Sequence, residues 1–117
     1  MIRFWRASVN TWNGLTFAVR SDQAVREELV ALLASLPLSW VVGATPMRRV
    51  ELVVVVLFLL AVELLNTAIE KLADRLTLDQ DPQIGRVKDM GSAAVGVAIV
   101  IAGIVWCVSI AERVGLF

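Results

Sequence analysis

Two carboxylates follow a long apolar run in the middle of the chain. Glu63 comes after eleven apolar residues, 52–62, and Glu70 comes seven residues later. On a helix these side chains lie nearly on one line, about 10.5 Å apart along the axis. One Mg²⁺ cannot bind both directly, because its bonds to oxygen are about 2.1 Å long. The spacing predicts two tasks: a deep carboxylate that acts as a base on a hydroxyl presented from lipid, and a shallow one that holds a hydrated cation.

Further polar residues extend this helix face. Thr67 and Asp74 lie within about 40° of the line through Glu63 and Glu70, and Asn66 lies about 60° to the side. An acid at the centre of a membrane helix costs about 2.5–3.5 kcal/mol on insertion scales. Polar residues can also serve only to hold membrane helices together, but a stripe of acids does this poorly unless cations meet it. The stripe is therefore a candidate active site.

The residue types that are missing narrow the chemistry. The sequence has no histidine and a single cysteine, Cys107, which excludes histidine catalysis, an internal disulfide and a cysteine-based zinc site. Eleven basic residues balance eleven acidic ones, so nothing indicates nucleic-acid binding. The glycines fit neither a Walker loop nor a GxGxxG motif, so a nucleotide site here is not of the common soluble kinds.

The composition is typical of a membrane protein. Apolar residues make up 58% of the 117 residues and charged residues 19%, and a soluble domain of this size could not bury so much apolar surface. We expect three transmembrane spans, over residues 29–44, 50–69 and 90–111. The first is short and contains Pro37, which neighbouring helices can accommodate. The predicted fold is a single all-α membrane domain over residues 1–117.

The first twenty residues are predicted to form an amphipathic helix of another kind. Over 2–20, apolar side chains that include Trp5 and Trp12 share one face, and Arg3 and Arg6 lie on the other. This pattern favours a helix lying in the lipid headgroup plane, the alternative being a soluble amphipathic helix. The segment lacks the short apolar core of a secretion signal. Residues 1–28 and 70–89 carry four basic residues each, against three elsewhere, so the N-terminus and the 70–89 loop are predicted to be cytoplasmic.

The segment that opens the third span, residues 85–92, carries its own polar groups. Lys88 is a candidate phosphate-binding cation, and a snorkelling lysine is the alternative. Asp89 is a candidate second metal contact, with a helix N-terminal cap as the alternative. Ser92 would place a hydroxyl one turn inside the span.

These runs resemble a known family. Residues 62–70 (VELLNTAIE), Asp74-Arg75 and residues 88–95 (KDMGSAAV) are similar to the signature of the prokaryotic diacylglycerol kinases, small integral-membrane lipid kinases. The resemblance extends from about Arg3 to Cys107. It implies a homotrimeric bundle in the bacterial cytoplasmic (inner) membrane. Each chain would contribute a surface helix and three transmembrane helices, and the active sites would be shared between neighbouring protomers.

The resemblance also implies roles for the acidic residues. Glu63 matches the catalytic base that takes the proton of the lipid hydroxyl. Glu70 matches a glutamate that binds the metal of Mg²⁺–ATP, with Asn66 beside it. Asp22 stands in a Ser21-Asp22 pair where the family has Asn-Glu with a second metal-binding glutamate, and Asp is one methylene shorter. Thr16 also replaces a residue that is usually basic.

Other positions match contacts to the two substrates. By the resemblance, Lys88 and Asp89 contact the nucleotide phosphates. The positions that match sites near lipid or nucleotide are Arg3, Trp12, Glu28, Ser92 and Trp106. Because it lies on the ATP side, we expect the loop of Asp79, Gln80 and Asp81 to cover the nucleotide.

The function expected from these features is transfer of the ATP γ-phosphoryl group to the primary hydroxyl of diacylglycerol, with Mg²⁺ as cofactor and phosphatidic acid as product. Undecaprenol phosphorylation is the alternative within lipid kinases, although Met90-Gly91-Ser92 resembles the diacylglycerol type more. A small proton-coupled transporter would account for Glu63, but not for the polar residues at the cytoplasmic end. A purely structural subunit would leave the acidic stripe without a purpose.

Overall fold

Four helices account for the regular structure of the described residues. The computed structural model describes residues 1–77 and 79–117. The helices are α1 (Ile2–Ser21), α2 (Gln23–Val42), α3 (Pro46–Leu76) and α4 (Pro82–Arg113). The all-α prediction is therefore confirmed for this part of the chain. By length and composition, α3 and α4 could each cross a membrane.

The helix starts carry clear sequence signals. Thr45 Oγ1 accepts a hydrogen bond from the amide of Arg48, and Pro46 takes the first position of α3. Asp81 caps α4 in the same way, ahead of Pro82. A short polar cap followed by proline satisfies free amides and pre-sets the helical backbone. Both helices therefore begin before the apolar stretches that they contain.

The start of α4 corrects one alternative from the sequence. Asp89 lies two turns inside α4, so its interpretation as an N-terminal helix cap is wrong, and Asp81 has that role. The expected span 90–111 is the later part of a helix that begins at Pro82. Asp89 and Lys88 thus belong to a continuous helix and not to its entry loop.

A tight turn joins α2 to α3. Gly43 ends α2, and its amide donates to the carbonyl of Ser39. A Cβ at Gly43 would lie 2.6 Å from Cγ of Arg49 and 2.7 Å from the Ser39 carbonyl oxygen. The Arg49 guanidinium donates back to the Gly43 carbonyl and stacks over Trp40. The missing side chain at Gly43 therefore allows this close return.

Helix α3 is the element against which α2 and α4 pack. Where α1, α2 and α3 meet, Ala18, Val25 and Leu60 form a small buried core. Towards the other end of α3, Arg48 pairs with Glu51 and Glu112, which ties the start of α3 to the end of α4. These contacts fix which face of α3 meets which neighbour.

Much apolar surface remains outside these contacts. The exposed large apolar side chains of α4 include Val97, Ile99, Val100 and Ile104. Such continuous apolar surface is stable against lipid or another chain, not against water. The 31 residues of α3 are roughly 46 Å long, which exceeds the ~30 Å hydrocarbon layer. If α3 crosses a bilayer, part of it therefore lies beyond the hydrocarbon.

Candidate active site

Three polar side chains of α3 are buried together in the middle of the protein. Glu63, Asn66 and Thr67 are 6%, 6% and 4% exposed, although their helix could have turned them to either side. They follow Leu60 of the small core, so the packing that buries Leu60 also turns this face inwards. Buried polar groups require partners. Asn66 is bonded to Glu70 on α3, and Thr67 is bonded to Asp22 at the junction of α1 and α2.

Asp22 joins this cluster from the junction of α1 and α2. Its Oδ2 accepts a hydrogen bond from Thr67 Oγ1 over 2.6 Å, and its Oδ1 caps α2 by accepting from the amides of Ala24 and Val25. The Thr67 hydroxyl, followed by the two amides, lowers the pKa of Asp22 despite partial burial. Asp22 therefore stays ionised at neutral pH and brings a negative charge to the Glu63 side of α3.

Glu28 faces the same cluster from the first turns of α2, just before the expected span 29–44. Its Oε2 is buried and has no hydrogen-bond partner among the residues that the structure describes. Burial, and then the nearby charges of Glu63, Asp22 and Glu27, raise the pKa of Glu28 to about 7. A carboxyl group in this state can hold or release a proton near neutrality. Glu63 thus lies close enough to Glu28 for its charge to favour the protonated form of Glu28.

One turn further along α3, Asn66 is bonded to Glu70. Asn66 Nδ2 donates to Glu70 Oε1 over 3.2 Å, while Asn66 Oδ1 is buried without a hydrogen-bond partner in the described part of the chain. Glu70 itself is half-buried. The amide therefore fixes one carboxylate oxygen and leaves the rest of the group open towards the end of α3.

Lys88 lies across from this end of α3. Its ammonium pairs with Asp74 Oδ1, and both side chains are well exposed. Lys88 also lines a polar pocket together with Asp79, Gln80 and Asp81, the loop expected to cover the nucleotide. The fold thus places the Lys88 side chain at the same pocket as the 79–81 loop, which lies seven to nine residues earlier in the sequence.

The remaining predicted site residues lie elsewhere on the single chain. Arg3, Asp89 and Ser92 are exposed. Trp12 lines an apolar pocket that Leu29 and Leu60 share. Trp106 donates its indole N–H to the carbonyl of Leu52, eleven residues before Glu63 and so roughly 16 Å away along α3. A lipid contact at Trp106 would therefore involve acyl chains and not the reacting hydroxyl.

The oxygen donors fit a hard divalent cation. Asp22 and Glu70 offer carboxylates, and Mg²⁺ takes oxygen ligands, commonly one or two carboxylates completed by phosphates and water. Within residues 1–77 and 79–117, no three acidic side chains cluster tightly enough to enclose a metal ion by themselves. Two carboxylates of this kind suit a cation whose other ligands are phosphate oxygens and water.

Two residues of the polar stripe, Thr67 and Asp74, had no individual role predicted from the sequence. Thr67 holds Asp22, and Asp74 holds Lys88. The available signal was their position on the stripe, four residues after Glu63 and Glu70 respectively. Their partners come from other helices, so the sequence could not reveal those contacts.

Comparison with known proteins gives a consistent result along the chain. A sequence model of the family described as prokaryotic diacylglycerol kinase matches residues 9–110. The diacylglycerol kinase of Escherichia coli K12 is 37% identical over 113 residues, which cover 97% of this chain and 93% of that protein. The diacylglycerol kinase of Haemophilus influenzae Rd is 38% identical over 93 residues, covering 80% and 79%. That of Pseudomonas aeruginosa is 34% identical over 93 residues, covering 80% and 76%.

Proposed function

The chain belongs to the prokaryotic diacylglycerol kinase family, and we propose that the polar face of α3 and the start of α4 carry its reaction. The activity is ATP-dependent phosphorylation of diacylglycerol, which gives phosphatidic acid. The observation that supports this site most directly is the burial of Glu63 one turn from the Asn66–Glu70 hydrogen bond. The proposed base, Glu63, and the proposed cation ligand, Glu70, then lie two turns apart on the same face of α3.

Glu63 is the proposed general base. As the lipid hydroxyl attacks the γ-phosphorus, Glu63 takes the hydroxyl proton, and the bond between the γ-phosphorus and the β,γ-bridging oxygen breaks. Its burial at 6% exposure limits hydration of the carboxylate, which makes it a stronger base. Glu28, with its unpartnered buried oxygen, is proposed to contact the lipid hydroxyl side of the site.

The proposed cofactor is Mg²⁺ held by Glu70 and Asp22. When bound with ATP, Mg²⁺ neutralises phosphate charge that would otherwise oppose the attack. Asn66 keeps one Glu70 oxygen in place, and Thr67 does the same for Asp22. Lys88, in the pocket with Asp79 and its neighbours, is proposed to bind phosphate oxygens. Asp89 is proposed to contact the nucleotide phosphates through the metal ion bound to them.

We further propose that the active protein is a homotrimer in the bacterial inner membrane. The apolar part of α2, α3 and α4 would span the bilayer, and α1 would lie on the cytoplasmic surface with the N-terminus. The excess of basic residues in 1–28 and 70–89 supports this orientation. The residues Arg3, Asp89 and Ser92, exposed on one chain, would complete a site with a neighbour. Native mass spectrometry in detergent measures the subunit number.

The test of the function is lipid phosphorylation by the purified protein. In mixed micelles with Mg²⁺–ATP, diacylglycerol should yield radiolabelled phosphatidic acid, and undecaprenol should compete poorly. Glu63→Gln should reduce kcat by at least a hundredfold with little change in thermal stability. Glu51→Gln is the matched control, because Glu51 lies on the same helix in the Arg48 cluster and should keep wild-type turnover. Near-full activity of Glu63→Gln would exclude Glu63 as the base.

A further inference from the structure

Helix α4 has a glycine at the point where it faces Asn66. Gly91 is buried, and a Cβ there would lie 2.2 Å from Asn66 Oδ1 and 3.3 Å from its Cγ. The first distance is far inside van der Waals contact, so an alanine could not share this place with the present amide. Three other glycines of α4, at 85, 96 and 103, have open space around the same position. Gly91 is thus distinguished by what its missing side chain allows.

The same geometry gives the buried Asn66 oxygen a neighbour. A carbon–carbon bond is about 1.5 Å long, so Cα of Gly91 lies within about 3.7 Å of Asn66 Oδ1, with a hydrogen directed towards it. Contacts of this kind between Cα–H and oxygen recur where helices approach closely. Asn66 Oδ1 has no conventional partner among the described residues. The backbone of α4 is therefore the surface against which this oxygen rests.

The neighbours of the Asn66 side-chain amide determine which way the amide is oriented. Asn66 Nδ2 faces Glu70 Oε1, and Oδ1 faces Gly91. The reverse orientation would set the amide oxygen against a carboxylate oxygen, which is repulsive. A side chain at Gly91 would push the amide out of this arrangement, and Glu70 would lose its donor.

We propose that Gly91 is a positioning residue for the metal-binding carboxylate. It admits the Asn66 amide to the α3–α4 interface, and the amide in turn holds Glu70. This inference rests on the proposed role of Glu70 as a Mg²⁺ ligand. It assigns the glycine of the KDMGSAAV run a role in cation affinity and not only in helix packing.

The test compares alanine substitutions at two glycines of α4. Binding of Mn²⁺ with a non-hydrolysable ATP analogue is measured by electron paramagnetic resonance on the purified, detergent-solubilised protein. Gly91→Ala should weaken Mn²⁺ binding at least tenfold and raise the Mg²⁺ concentration for half-maximal activity, with a smaller change in kcat at saturating Mg²⁺. Gly96→Ala gains the same methyl group in open space and should bind Mn²⁺ as the wild type does. Wild-type Mn²⁺ affinity in Gly91→Ala would overturn the proposal.

A double variant keeps the test informative if Gly91→Ala folds poorly. Asn66→Ala makes room for the new methyl group, so Asn66→Ala/Gly91→Ala should fold and bind Mn²⁺ no more weakly than Asn66→Ala alone. A further tenfold loss in the double variant would show that Gly91 does not act through Asn66. Glu70→Gln separates this inference from the proposed function. If Glu70→Gln binds Mn²⁺ normally, the metal role of Glu70 fails, whereas a weakened Glu70→Gln beside a normal Gly91→Ala overturns the present inference alone.

Discussion

Thr67 donates its hydroxyl to Asp22 over 2.6 Å, and this contact joins the junction of α1 and α2 to the buried face of α3. The same aspartate caps α2 through its other oxygen. One side chain thus begins a helix, links two helices and brings a charge beside Glu63. The aspartate side chain is well suited to the cap, because Asp is among the best N-cap residues and Glu is not.

The two tasks of Asp22 can be separated by Asp22→Asn. Asparagine keeps the cap through its single carbonyl oxygen. Its amide nitrogen replaces Oδ2 and can donate to Thr67 Oγ1 but cannot accept from it, so we expect a stability loss of no more than about 1 kcal/mol. The lost charge should raise the Mg²⁺ concentration for half-maximal activity about tenfold. Thermal unfolding in detergent and a Mg²⁺ titration measure the two effects. If Asp22→Asn depends on Mg²⁺ as the wild type does, Asp22 caps α2 but does not bind the metal.

Thr67→Val removes the hydroxyl at nearly constant volume. We expect a loss of about 1 kcal/mol at pH 7, discounted for the partial exposure of Asp22. The folded-state pKa of Asp22 is lowered from 3.8, so this contribution is complete above 3.8 and disappears as the pH falls through the lowered value. Chemical denaturation at a series of pH values measures the difference.

The control for this series is Thr11→Val. Thr11 donates only to the Ala7 carbonyl of its own helix, and it is exposed. Its substitution should have a small effect that does not depend on pH. A pH-independent penalty for Thr67→Val would mean that the Asp22 charge contributes nothing to the bond.

Asp74→Asn tests whether the ion pair with Lys88 serves the nucleotide. Lys88 and Asp74 are 40% and 51% exposed in their side chains, so the pair should contribute well under 1 kcal/mol to stability. We expect KM for ATP to rise three- to tenfold because Lys88 loses its anchor, with kcat nearly unchanged. Asp74→Glu should restore most of the affinity. A wild-type KM in steady-state kinetics would argue against this positioning role.

The helices, and the polar face of α3 that turns inwards, could be predicted from the sequence. Runs such as 52–62 can only be helical in a bilayer, and the 3.6-residue period places Glu63 and Glu70 on one face. The helix ends were harder to predict. The caps at Thr45 and Asp81 start α3 and α4 before the expected spans, which began at residues 50 and 90. The number of spans stays a prediction, because the first expected span, 29–44, has only sixteen residues and is interrupted by Pro37.

The contacts between helices were not predictable from spacing. Asp22 and Thr67 are 45 residues apart, and Asp74 and Lys88 are 14 apart across a turn. Which side chains meet depends on how α2 and α4 rotate against α3, and that rotation follows from small packing differences such as the absent side chain of Gly91. A linear pattern defines the face of a helix but not its neighbour.

Substitution of Trp106 tests whether the contact between Trp106 and Leu52 lies far from the proposed base Glu63. Its indole N–H donates to the Leu52 carbonyl over 3.2 Å, and Trp106→Phe removes this bond while keeping an aromatic ring. We expect stability to fall by about 0.5–1.5 kcal/mol. Because Leu52 lies roughly 16 Å along α3 from Glu63, kcat with a short-chain diacylglycerol should not change, and KM should rise only for long-chain substrates that reach this depth. A reduced kcat with both substrates, at unchanged stability, would place Trp106 beside the reacting groups and contradict the arrangement of α3 and α4 described above.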